Sequence, residues 1–340
     1  TLISEAALLF VAAQTGFLGG PSVLANMAGD RWFPTKFSIL SDRLVTHYGI
    51  LLMSLAALAT LALTKGSVSM LVVLYSINVF VTFVLSQAGM VRHWWNVRAQ
   101  APKWKKKIAI NGVGFVLTCV ILVSMIVIKF YQGAWVTLLI TGTLIVASLL
   151  IKRHYIYTAK LLHRLNSLVA VVDAEIAKKK PTVTQPNRNG RTAVIFVNGY
   201  NGLGLHTLLN ILRYFGDMFS NFIFVQIGVL DAGNFKSEEK VREVEASVQQ
   251  DLAKYISYVQ CQGHYAQGIC RVGIDIVEEA SSIAPQIIEQ YPRAIFFGGQ
   301  LVFRKNMLLA RWLHNYTVFV VQKRFYDEGI PFFILPIRVY

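Results

Sequence analysis

Carboxylates are scarce in this chain. Asp and Glu number 18 against 33 Lys and Arg, for a formal net charge of +15, and charged residues make up only 15% of the 340 positions. With 54% hydrophobic residues beside so little charge, a wholly soluble protein is excluded. Cysteine is equally sparse. Cys119, Cys261 and Cys270 have neither zinc-ligand nor redox-pair spacing, which excludes a disulfide framework. An initiator Met and the charged start of a signal peptide are also missing, and Thr1 lies just before the apolar run Ala6–Ala13. We therefore read the chain as the C-terminal part of a longer protein. Excess positive charge can serve nucleic acid, but here much of it sits in residues 91–107 and 152–191, beside apolar blocks. There the fitting partner is membrane lipid, not nucleic acid.

What the chain does have is long apolar runs, and Val68–Met90, VSMLVVLYSINVFVTFVLSQAGM, organises the others. It holds the roughly 20 apolar residues that cross a hydrocarbon core, without the polar face of a soluble helix. Tyr75, Ser76, Asn78, Thr82, Ser86 and Gln87 interrupt it, and in lipid such groups must face other helices or a cavity. The following loop, residues 91–107, carries Arg92, Arg98, Lys103, Lys105, Lys106 and Lys107 and no acidic residue, which predicts a cytoplasmic position. Further spans are predicted at about 3–18, 46–64, 108–128 and 133–151. Spans 46–64 and 68–90 form one hairpin, 108–128 and 133–151 a second, each with a short external turn bearing one Lys. The membrane region is thus 1–151, with five spans and a cytoplasmic exit.

Two features of the first span bear on function. Gln14 and Thr15 lie just before Gly16, Gly19, Gly20 and Pro21, which are expected to break the helix, and a broken span can expose backbone groups to an ion. The alternative is an ordinary helix end. Ser22–Val45 is then expected to lie along the membrane surface, with Trp32, Phe33 and Phe37 among Arg31, Lys36 and Arg43.

Beyond the spans, residues 152–180 read as an amphipathic juxtamembrane helix with Leu161, Leu165, Leu168, Val172 and Ile176 on one side. That stripe docks on the following domain or pairs with its copy in a second subunit. Residues 181–191 are a polar linker. From 192 to 340, short β-branched runs alternate with helices, the pattern of an α/β domain with a mostly parallel sheet.

Asn198-Gly199-Tyr200-Asn201-Gly202-Leu203-Gly204 follows the first strand and opens a helix, where free amides can hold a phosphate. Gly298-Gly299 is expected to turn at the carboxyl end of another strand on the same rim. Gly199, Gly202, Gly204, Gly298 and Gly299 are therefore candidate contacts for a regulatory nucleotide, against the plainer reading as strand-to-helix turns. His206, His264 and His314 lack metal-ligand spacing, and Asp231, Asp275 and Glu278 face no specified nucleophile. No catalytic residue, metal site or resident cofactor is expected.

The runs Gln14-Thr15-Gly16-Phe17, Val23–Ala28, Trp32-Phe33-Pro34, Ser41–Leu44 and Leu74-Tyr75-Ser76 through Ser86-Gln87-Ala88-Gly89-Met90-Val91-Arg92-His93-Trp94 resemble the amino acid/polyamine/organocation permease superfamily. The likeness is strongest to the branch that includes the KimA-type bacterial potassium importers. It implies that the five spans are the last five helices of a twelve-helix, inverted-repeat secondary transporter for potassium or amino acids, coupled to protons, in a bacterial cytoplasmic membrane. Tyr75 matches the family's ion-path tyrosine, with Ser76, Gln14 and Thr15 as further path candidates. Leu313–Thr317 and the closing Pro331–Val339 segment resemble the end of that branch's cytosolic domain, itself similar to universal stress proteins. That likeness implies a homodimer formed through the domain and a cyclic dinucleotide regulator, although the stress-protein nucleotide motif is not intact after Gly298-Gly299. A membrane-anchored ligand sensor without transport is the alternative reading.

Overall fold

The computed structural model describes residues 2–41, 45–99, 103–179, 181–182, 184–230, 238–303 and 317–339. They group into two compact units, Leu52–Leu150 and the combination of Thr1–Leu51 with Ile151–Tyr340.

The apolar runs form helices α1 (Leu2–Gly29), α2 (His47–Leu63), α3 (Val68–Asn96), α4 (Trp104–Lys129) and α5 (Ala134–Leu165). Among the described residues four helical stretches are long and apolar enough to cross a membrane: Leu2–Gly29, Val68–Asn96, Trp104–Gln132 and Ala134–Lys178. Helix α2 is apolar but shorter, at 17 residues, or about 26 Å against a hydrocarbon core of about 30 Å.

Three boundaries differ from expectation. Helix α1 does not break after residue 18; it runs through Gly16, Gly19, Gly20 and Pro21 to Gly29. Pro21 removes one backbone bond, but a non-aqueous surrounding offers the other amides no competing partner, so the helix passes through it. The Pro21 ring is buried against Gly49 of α2, where a Cβ would come within 3.0 Å. The surface connection consequently starts near Asp30, not Ser22, and holds one short 3-10 turn, Thr35–Ser38. The basic segment 91–107 is largely helical, because α3 continues past Arg92 to Asn96 and α4 begins at Trp104. Finally, α5 continues beyond Ile151 to Leu165, and only Asn166 separates it from α6 (Ser167–Lys178).

Within Leu52–Leu150, Val73 and Ile77 of α3 and Ala134 of α5 are buried together, with Val81 and Leu122 against them. The buried side of α3 is therefore apolar, while Tyr75, Asn78, Thr82 and Ser86, expected to face other helices or a cavity, are exposed.

The α/β domain is a five-stranded parallel sheet in the order β3-β2-β1-β4-β5. Its strands are β1 (Thr192–Val197), β2 (Asn221–Val229), β3 (Tyr265–Gly273), β4 (Ala294–Phe303) and β5 (Phe332–Val339). The helices between them are α7 (Gly202–Phe215), α8 (Glu238–Cys261), α9 (Ile276–Gln290) and α10 (Thr317–Asp327). Both faces are covered, which is why the strands read as continuous apolar runs. Ala193, Ile195, Phe222, Phe224 and Phe297 pack with α7 and α8; Val194, Ile223, Val225 and Phe296 pack with α9 and α10.

The juxtamembrane stripe meets its own domain. Val172 is 2% exposed inside the cluster of Leu205 and Tyr255, with Leu168, Val169 and Ile176 packed around it. Burying such a side chain stabilises by roughly 1.5–3 kcal/mol, and the structure thereby uses this face within one chain. The linker is also anchored: buried Asn221 donates Nδ2 to the Asn187 carbonyl and to Thr192 Oγ1, each at 2.8 Å, and its Oδ1 accepts from Asn187 N at 3.0 Å.

Candidate functional site

The sheet order reverses its winding between β1 and β4, and ligands of such sheets bind in the crevice that opens there. After Val197 the chain turns through Gly199, whose φ of +84° suits a residue without a side chain. Asn201 then caps α7, its Oδ1 accepting from Gly204 N at 3.1 Å, while Gly202 N donates to Asn166 Oδ1 at 2.9 Å. Two amides that the sequence offers to a phosphate are thus already engaged. Their glycines have a packing reason instead: a Cβ at Gly202 would run into the Leu165 carbonyl, and one at Gly204 into the Tyr255 hydroxyl.

Gly298-Gly299 is not a turn. Both residues lie inside β4, paired with Ile334 and Leu335 of β5, while pairing with β1 stops at Phe196 opposite Gly298. Because β5 supports one edge, β4 continues after β1 has left, and this opens the crevice. A Cβ on Gly299 would strike Thr207 Oγ1, so the two glycines let α7 and α10 close on the strand.

A cavity of about 310 Å³ occupies this place. Gly204, Gly298 and Gly299 line it together with Asn198, Thr207 and Gln300; Gly199 and Gly202 do not. Leu203, Ile227, Val318 and Phe332 form apolar walls, and among the described residues no charged side chain reaches it. Such a surface suits a flat, uncharged ring with hydrogen-bonding edges.

Behind the Gly199 turn stands a tyrosine pair that sequence reasoning missed. The Tyr255 hydroxyl donates to the Gly199 carbonyl at 3.1 Å, its ring stacks on Phe224 at 4.9 Å, and Tyr200 meets it edge-on at 5.1 Å. Tyr200 in turn donates to Asp173 Oδ1 of α6 at 2.8 Å, and Lys254 Nζ lies 4.9 Å from its ring centre. Burial raises the pKa of both phenols well above the usual 10.0, and for Tyr200 the Asp173 hydrogen bond adds to it. Both hydroxyls are therefore protonated donors: Tyr200 ties α6 to the turn after β1, and Tyr255 ties α8 to it. Only the position of Tyr200 beside Gly199 hinted at this.

In the apolar helices, Tyr75 is 72% exposed on α3, and Ser76 Oγ donates to its own helix at the Val72 carbonyl, 2.7 Å away. Gln14 is exposed on α1, and Thr15 Oγ1 donates to the Ala12 carbonyl at 2.7 Å. Among the described residues the structure joins neither Tyr75 nor Ser76 to a polar group of another helix by a hydrogen bond. It pairs Asn78 instead: Thr141 Oγ1 of α5 donates to Asn78 Oδ1 at 2.8 Å. Gln87 packs on Gly114 of α4, and its Oε1 is buried with no partner among the described residues.

Against this geometry, a curated relative is informative. The chain is 30% identical to the potassium transporter KimA of Bacillus subtilis (strain 168) over 188 residues. The match takes in 55% of this chain and 29% of the relative, so the chain spans under a third of that relative's length. No family model matches it. The match supports a relation to KimA-like transporters, in keeping with the apolar helices.

The remaining candidates have structural places. Asp275 caps α9 by accepting from Val277 N at 2.7 Å, and His264 meets Phe222 edge-on at 5.3 Å. Burial lowers the pKa of His206 and raises that of Cys270, whose thiol is accordingly no ready nucleophile. Among the described residues no His, Cys, Asp and Glu group could hold a metal ion. Asp231 and His314 lie outside the described residues.

Proposed function

We propose that this chain is part of a secondary active transporter, not an enzyme, that moves potassium or amino acids across a bacterial cytoplasmic membrane with proton coupling. The observation that carries the reading is the 30% identity to a potassium transporter, in a chain with four helical stretches able to cross a membrane. Of the two substrates, the relative favours potassium. In this reading Tyr75, Ser76, Gln14 and Thr15 contribute to the solute path, since hydroxyl and amide oxygens coordinate a cation or hydrogen-bond a substrate carboxylate. The basic segment 91–107 stays on the cytoplasmic side, and the α/β domain with it.

The α/β domain acts as the regulatory module, resembling universal stress proteins and pairing as a homodimer. A cyclic dinucleotide is its candidate effector. The uncharged cavity beside Gly204, Gly298 and Gly299 accepts a base more readily than a phosphate.

The test is rescue of a potassium-uptake-deficient bacterial strain by the full-length protein, with Tyr75→Phe as probe. Growth at limiting potassium, slowed by the variant, supports the reading. Full membrane expression without rescue overturns potassium transport. Labelled amino acid uptake would then favour the second substrate, and ligand binding without any uptake the membrane-anchored sensor.

A further inference from the structure

Three tryptophans gather at the tip of the α3–α4 hairpin. Trp94 and Trp95 lie in the last turn of α3, and Trp104 is the first residue of α4. Each indole carries a cation: Lys107 Nζ lies 4.0 Å from the Trp94 ring centre, Arg98 Cζ 5.1 Å from Trp95, and Lys105 Nζ 5.8 Å from Trp104. Trp95 and Trp104 also meet edge-on at 6.5 Å, so the aromatic bases of this cationic patch touch one another across the hairpin.

Within the unit Leu52–Leu150 this charge has no acidic counterpart. Between Asp42 and Asp173 the sequence contains no Asp or Glu at all. Arg92, Arg98, Lys103, Lys105, Lys106 and Lys107 join none of the ion pairs formed among the described residues. Like charges crowded at one tip repel, and an outside anion is what relieves them. Indole rings settle at the level of lipid headgroups, and basic side chains there gain from each negative lipid nearby.

We propose that this hairpin tip is a binding surface for anionic phospholipid, with Arg98, Lys105 and Lys107 on the headgroup phosphate and Trp94, Trp95 and Trp104 in the layer beneath. The proposal rests on the reading of α3 and α4 as membrane-spanning. A zwitterionic headgroup brings its own cation, so the tip should prefer net-negative lipids.

Native mass spectrometry of the full chain, released from nanodiscs of mixed phosphatidylglycerol and phosphatidylcholine, tests it. The parent should retain phosphatidylglycerol in preference, and R98Q/K105Q/K107Q should lose roughly tenfold or more of that preference. K323Q/R324Q, which removes two cations from α10, should leave it unchanged. Equal retention by parent and triple variant overturns the proposal, as does a parent that shows no preference. Binding of a short RNA at the same three residues, with no preference among lipids, also overturns it. A chain that stays soluble without nanodisc or detergent would instead defeat the membrane reading itself, so the two failures are distinguishable. Monodisperse triple variant with parental circular dichroism guards against misfolding.

Discussion

The Tyr200 hydroxyl donates to the Asp173 carboxylate at 2.8 Å, joining the turn after β1 to the helix that follows α5. The same turn receives Tyr255 at the Gly199 carbonyl and presents Gly202 N to Asn166. Two of these bonds hold α6 and its cap at the turn beside the cavity rim, and the third holds α8 there. Tyr200→Phe should destabilise the α/β domain by about 1 kcal/mol, a figure kept low because Asp173 is solvent-exposed. Amides of α6 should exchange faster with deuterium while those of β1 and β2 hold. Unchanged α6 protection would show that the apolar stripe alone seats the helix.

Asn221 is fully buried and bonded to Asn187 and Thr192. Asn221→Ala removes three hydrogen bonds and leaves Asn187 N without its partner, while the Asn187 carbonyl keeps Gly190 N, and should destabilise by roughly 1–3 kcal/mol. Chemical denaturation checks it, and proteolysis near Asn187 should become faster as the linker is released.

Asn78 and Thr141 hydrogen-bond between α3 and α5. Asn78→Leu and Thr141→Val should each lower thermal stability in detergent by about 0.6–1.7 kcal/mol. The double variant should cost no more than one of them; additive losses would mean that the pair does not interact.

His206 on α7 carries a pKa lowered by burial from the ordinary 6.5. The unfolded chain therefore binds the proton more readily than the fold does. This contribution is complete above about pH 6.5 and is lost as pH falls toward and through the lowered folded value. Stability should decline on acidification by less than about 1.4 kcal/mol per pH unit from this group. His206→Gln should flatten that part of the profile in denaturation measured from pH 7.5 downward.

Some of this was legible without coordinates. Apolar runs longer than a soluble helix tolerates placed the membrane-type helices, because hydropathy is a local sum over consecutive residues. Alternation of β-branched runs with helices announced a parallel sheet, because a strand buried on both faces needs apolar side chains on both. Candidate glycines fared less evenly. Gly204, Gly298 and Gly299 do share the crevice, but Gly298-Gly299 looked like a turn since nothing local says that Ile334 and Leu335 pair beside them.

By itself, the sequence determined which segments prefer lipid, where charge of one sign collects, and that the last part of the chain would form an α/β domain. These are properties of side chains and their spacing. Tertiary structure alone decided that α1 passes through Pro21, that Val172 turns toward its own domain, and that Asn78 finds Thr141. Each of those depends on a partner distant along the chain, and the free energy of such a contact appears only once folding has brought both surfaces together.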